Sequence, residues 1–219
     1  MKQFLIVCCL VLLIRSTIAD QRTAEEALRQ ASSAFNKGRL EEAEKQATEA
    51  EKAGYKKPEA ENLLGAIYLR QKRFDEAVEK FHQALAIDPK FSPAQLNLAE
   101  AKLLQGKYAE AATEYQALKV LDPESEFVDF KLVLCFLLEG DESKAIATVD
   151  VMKFPGKTPA YYYARAAIAL KHGRKDSAQR YFENAKKYYA DEQCQFFAQS
   201  LREIDLAAST VNGPAKPSE

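Results

Sequence analysis

Chemistry in this chain of 219 residues would have to come from a handful of side chains. Two histidines, His82 and His172, could carry protons near neutral pH. Neither has a cysteine or a second histidine at metal-ligand spacing. The acidic pairs Glu41–Glu42 and Asp75–Glu76 could in principle form an acid/base couple. Both pairs, however, fall in the first turns of predicted helices, where carboxylates favour the positive end of the dipole. No Gly-rich phosphate loop and no Gly-x-Ser-x-Gly turn occurs, and tryptophan is absent. Cys135 falls at a small, inward position of its predicted helix, where packing is its natural use. The residues argue against an enzyme, and they call for no cofactor and no metal.

The N-terminus carries an address instead. Lys2 is followed by the apolar run Phe4 to Ile14 (FLIVCCLVLLI) and then by RSTIA before Asp20. A basic start, a short apolar core and small residues at Thr17 and Ala19 fit a secretory signal peptide over residues 1–19. At ~1.5 Å per residue the apolar run spans about 17 Å as a helix, short of the roughly 30 Å hydrocarbon layer. An N-terminal membrane anchor is therefore the secondary reading, and a lipoprotein signal fits less well because Val7 precedes Cys8. Lys2 and Arg15 leave with the signal, so 29 basic and 32 acidic residues remain, a formal charge of −3. That balance excludes general nucleic-acid affinity, which needs a basic face. No later run reaches 18 apolar residues, so no stable membrane insertion is expected after signal removal. Cys135 and Cys194 remain as two unpaired, mostly buried thiols in different helices.

What must position any site is a repeat. The stretch FDEAVEKFHQALAIDPKFSPA (Phe74 to Ala94) returns 34 residues later as YAEAATEYQALKVLDPESEFV. Ala43, Ala77, Ala111, Ala145 and Ala178 lie 34, 34, 34 and 33 residues apart. Gly38, Gly106, Gly140 and Gly173 stand five residues before four of them, and Lys72 before Ala77. Four residues after each alanine comes Ala47, Phe81, Tyr115, Val149 or Phe182. Each unit reads as two amphipathic helices. Asp88-Pro89 and Asp122-Pro123 stop the second, since proline lacks an N–H and biases its predecessor away from the helical region. Lys72 must either bear the cost of a left-handed turn or use a different one.

This pattern resembles the tetratricopeptide repeat family over residues 24–192. The best units are 58–91 (Leu64, Gly65, Tyr68, Ala77, Phe81, Ala84, Pro89) and 92–125 (Leu98, Ala99, Ala111, Tyr115, Pro123). Units 24–57, 126–158 and 159–192 depart more, with Val133 where a small residue is usual and Ala47 where an aromatic is. The resemblance implies an all-α, right-handed α-solenoid of five helix-turn-helix repeats. Gly65 is expected opposite Ala77, and Ala99 opposite Ala111. A capping helix over 191–208 follows, with Cys194, Phe197, Leu201 and Ile204 on one side, and residues 209–219 have the composition of a disordered tail.

By the same resemblance, the first helix of each unit lines a groove that receives a peptide or a partner's helix. Position by position this names Asn62, Leu69, Arg70, Leu96, Asn97, Leu104, Phe127, Phe130, Lys131, Leu134, Leu138 and Tyr163. The residues themselves single out FVDFKLVLCFLLEG (Phe127 to Gly140), apolar nearly all round. Such a helix is either fully buried or meets something. Two accounts stand: repeats 1 or 5 cover it, or it lines an apolar groove for an amphipathic helix or an extended segment. Tyr161 to Tyr163 would form the groove's edge, with Tyr162 pointing into the core. The carboxylate clamp of some family members is incomplete, because Asn62, Ala66 and Phe127 replace residues it needs. The expectation is an exported, periplasmic or secreted adaptor that binds protein or peptide partners, with envelope assembly one role it would suit. The alternative is a structural protein that self-associates into a dimer or filament through the groove or the solenoid ends.

Overall fold

The structure, a computed structural model, describes residues 22–205. The expected signal peptide at 1–19, the tail at 209–219 and the end of the capping helix at 206–208 lie outside the described residues. Among the described residues every regular element is a helix. The order is α1 (22–36), α2 (Leu40–Lys52), α3 (Pro58–Arg70), α4 (Phe74–Ile87), α5 (Ser92–Leu104), α6 (Tyr108–Leu121), α7 (Glu126–Glu139), α8 (Glu142–Asp150), α9 (Ala160–Lys171), α10 (Lys175–Tyr188) and α11 (Asp191–Glu203). None of these is long and apolar enough to cross a membrane. The chain divides into two compact units between Ala101 and Lys102, inside α5.

One turn recurs at every hairpin. Arg39, Arg73, Lys107, Asp141 and Arg174 each donate a backbone N–H to the carbonyl five residues back, at 2.8–2.9 Å. The residue before each has positive φ, as a helix end closed in this way requires. Lys72 adopts the same geometry, with φ 61°, and so takes the strained turn rather than a different one. At the opposite ends, the Asp88 carboxylate accepts from the Lys90 N–H and that of Asp122 from the Glu124 N–H, closing α4 and α6 before their prolines.

In the first unit, Ala31 and Ala34 of α1 meet Ala43 and Ala47 of α2, and Leu64 and Ile67 of α3 close over them. Alanine at position 47 leaves room for those larger side chains from the next hairpin. The next layer repeats the scheme: Ala77 and Phe81 of α4 pack with Leu98 and Ala101 of α5, sealed by Tyr68, Leu69, Val78 and Leu85. A side chain at Gly65 would overlap the Phe81 ring, so the backbone there closely approaches Phe81, one turn beyond Ala77 on α4. Lys80 binds Glu51 of α2 at 2.6 Å and the buried Glu61 of α3 at 2.9 Å, tying three helices together at the rim.

In the second unit α7 packs against α6, α8 and α9. Its residues 130–137 are all buried. Helix α8 is short, and the loop that follows is held by the buried Glu126 carboxylate. It accepts from the Lys157 and Thr158 N–H groups at 2.7 and 2.8 Å and from the Thr158 hydroxyl.

Two substitutions test this account in opposite directions. Gly65→Ala forces a methyl group into the Phe81 ring and is expected to destabilise the chain by roughly 1–3 kcal/mol. Lys72→Gly relieves the left-handed strain and is expected to stabilise it by about 1 kcal/mol. Denaturant midpoints measured by circular dichroism read both; equal midpoints for Gly65→Ala and the parent chain would refute the close-approach argument.

Candidate functional site

The expected groove residues separate by unit, and the two groups differ in character. In the first unit, Asn62 and Leu69 of α3 and Leu96 and Asn97 of α5 are half-buried, and Arg70 is exposed. The Asn97 side-chain N–H donates to the Asn62 side-chain oxygen at 2.9 Å. This bond joins two successive first helices through a pair of amides. Each amide retains further hydrogen-bonding capacity, because Asn97 keeps its oxygen and Asn62 its NH2. The Arg70 guanidinium lies 5.6 Å from the centre of the Phe35 ring, which fixes the arginine stem along α1. The result is a narrow face of mixed character, with apolar Leu69 and Leu96, two amides and one cation.

In the second unit the face is closed. Leu104, Phe127 and Leu138 are half-buried, while Phe130, Lys131, Leu134 and Tyr163 are at most 2% exposed. These four positions are buried, so the expectation of an open apolar groove there is corrected here; at Phe130 and Tyr163 the covering element is α11. Its Phe197 ring sits 5.1 Å from Phe130, 5.8 Å from Tyr163 and 6.0 Å from Phe127. Phe196 adds a contact with Phe127 at 5.2 Å. The Lys131 ammonium lies 5.4 Å from the Phe127 ring centre, so its buried charge faces an aromatic surface. The second face is therefore an aromatic socket built by α7 and α9 and filled by the chain's own last helix.

Cys194, on the buried stripe of α11, lies beside the Tyr163 phenol. Burial pushes the Cys194 thiol up from its ordinary value, and the neighbouring Tyr163 phenol offsets this in part. Burial likewise pushes the Tyr163 phenol up, reinforced by the neighbouring Cys194. Both groups are thereby held neutral and inert.

Tyr161 and Tyr162 do not edge this socket. They join a separate aromatic group with Phe154, at ring distances of 4.9 and 5.7 Å, and Tyr162 continues it to Tyr188 and Tyr189. Among the candidates for chemistry, His82 is exposed on α4, and His172 binds Glu142 at 2.6 Å on the surface. Cys135 and Cys194 are buried thiols on α7 and α11. No group of three or more metal-ligating side chains converges among the described residues. Sequence reasoning had Phe197 on the apolar side of a cap, but did not connect it to Phe127 and Phe130. The signal available was the adjacent pair Phe196–Phe197, one aromatic more than a cap needs.

Two tetratricopeptide repeat family models match the chain, over residues 28–92 and 68–132. No curated protein sequence matches it. Among solved structures, a thermophilic repeat protein of Thermus thermophilus is 22% identical, with a TM-score of 0.62 over 82% of this chain and 99% of that one. A tetratricopeptide repeat protein of Parabacteroides merdae is 20% identical, with a TM-score of 0.62 over 82% of this chain and 70% of that one. MamA of Desulfovibrio magneticus, from its residue 41, is 17% identical, with a TM-score of 0.62 over 75% and 94%. These likenesses agree on a fold built by stacking helical hairpins. With the family models matching its first three hairpins and the start of the fourth, and the same closing turn present at all five, the chain is a tetratricopeptide repeat protein, an all-α helical-repeat solenoid.

Proposed function

We propose that the chain is an exported, non-enzymatic scaffold that receives an extended protein segment on the face formed by α3 and α5. Repeats of this family typically mediate protein–protein interactions, and the N-terminal sequence at 2–19 supports export. The observation that carries the reading is the Asn62–Asn97 amide pair, flanked by half-buried Leu69 and Leu96. An extended segment has an unpaired N–H and C=O at every residue, and amides with spare capacity can take both. Leu69 and Leu96 then supply apolar contact, with a few such anchors dominating the binding energy. Arg70 favours a segment bearing a carboxylate, which its planar fork can grip. The candidates Leu104, Phe127 and Leu138 belong to the second unit.

A photoreactive residue at Leu69 or Leu96, compared with one at the exposed Glu79 on α4, tests this reading in the native host. The same protein should crosslink from Leu69 and Leu96 and not from Glu79. Asn97→Ala should weaken its capture about fivefold, as the loss of roughly 1 kcal/mol of hydrogen bonding requires, with the helical circular-dichroism signal unchanged. Capture from Glu79 at equal yield would place the partner on the outer face and end the proposal. By contrast, Leu134→Asp sets a charge into a fully buried position and should abolish the cooperative thermal transition of the second unit.

A further inference from the structure

We infer that the aromatic socket of the second unit is a second docking site, held by α11 at rest and open to an amphipathic partner helix of the same pattern when α11 lifts away. The inference rests on the interaction reading above and names the partner class for this face. Its occupant is read from the helix that already sits there. Helix α11 buries Cys194, Phe197, Ser200 and Leu201, a stripe at positions i, i+3, i+6 and i+7. Phe197 supplies the central contact, wedged among Phe127, Phe130 and Tyr163. A helix recognised by this socket therefore carries an aromatic ring at its centre. It also carries a small thiol or hydroxyl one turn earlier to meet the Tyr163 hydroxyl, and a leucine one turn later.

Three features make α11 removable. It follows α10 through Tyr189 and Ala190 alone, and because the Tyr189 hydroxyl is held by the Pro155 and Gly156 carbonyls, the pivot falls at the extended Ala190. Its side-chain hydrogen bonds run within the helix, from Gln199 to Glu203 and from Arg202 to Gln199, and Cys194 beside the Tyr163 phenol is its polar neighbour on α9. Phe196 remains 58% exposed even though its ring touches Phe127, so part of the aromatic rim already faces solvent. Helix α7 packs against α6, α8 and α9, and α9 against α7, α8 and α10, whereas α11 packs chiefly against α9 and α10.

The two buried thiols report the motion. Cys194 moves with α11, and Cys135 stays in the core of α7. Thiol alkylation of the full chain under native conditions, mapped by peptide mass spectrometry, follows both while separating them from Cys8 and Cys9. The open population sets the rate, so Cys194 should react at least tenfold faster than Cys135. A synthetic peptide of residues 189–205 with serine in place of Cys194, added in excess, should occupy the vacated socket and raise labelling of the chain's own Cys194 at least threefold further. The same peptide with alanine in place of Phe197 should not. Equal, slow labelling of both thiols, unmoved by the peptide, would show α11 to be a fixed cap and overturn the inference. Cys194 labelling that changes with protein concentration, without peptide, would assign the socket to α11 of a second copy and also overturn it. Crosslinking from Leu69 and Leu96 probes the other unit, so either result leaves the α3–α5 reading to be judged separately.

Discussion

Where α3 passes α4, the backbone of Gly65 runs against the ring of Phe81, with no room for even one methyl group between them. That approach sets the hairpin's internal distance, and the hairpin's internal distance sets what it can offer the next layer. Phe81 is wide enough to fill the near gap and still meet Leu98 and Ala101 of α5. A small residue on one helix and a large one on the other thus do two jobs at once. In the first hairpin the solution differs, with alanines on both helices and Leu64 and Ile67 entering from the neighbour. The total volume is conserved while its source changes, which close-packed interiors tolerate better than voids.

A first helix in such a stack is packed by its own hairpin partner and by the neighbouring first helices, and what is left over decides its function. On α3 and α5 the remainder is polar at its centre, two amides bonded to each other with capacity to spare. On α7 and α9 the remainder is aromatic, and water contact with Phe127, Phe130 and Tyr163 together would be costly. Fully burying one large apolar side chain is worth about 1.5–3 kcal/mol, so a chain with three exposed in one place gains strongly by covering them. Helix α11 performs that covering with Phe197. The second unit thus solves a stability problem and fills the proposed docking surface with the same contact.

The hairpins were legible because their signals are local. A turn five residues before each small position, two aspartate–proline stops and a 34-residue period follow from backbone chemistry that acts within one unit. Lys72 shows how strong that local pattern is: the position takes left-handed geometry although its side chain disfavours it. That Gly65 meets the Phe81 ring was not legible, because spacing fixes which helix faces which but not which side chain reaches furthest. The closed socket was the least legible feature. Phe197 lies 67 residues from Phe130 in sequence. Phe130, Tyr163 and Phe197 lie 33 and 34 residues apart, so the period carries a ring into the terminal helix, but it does not say that rings two units apart meet. The uniform apolarity of FVDFKLVLCFLLEG stated that something must cover α7 without stating what.

A socket covered by its own chain also imposes a threshold on any outside partner. Because α11 is tethered by two residues, its effective concentration at the socket is in the millimolar range or above. A partner helix with the same intrinsic affinity, supplied at micromolar concentration, loses to it by about a thousandfold. Binding therefore selects a helix that fits Phe127, Phe130 and Tyr163 better than α11 does, and the sequence of α11 shows where improvement is available. Ser200 lies on the buried stripe of an otherwise apolar contact, and Phe196 leaves more than half of its surface in water. A partner with an apolar residue at the first position and a fully seated ring at the second gains burial that α11 forgoes. On this argument α11 is weak by composition at two defined positions, and a stronger cap would have made the socket purely structural.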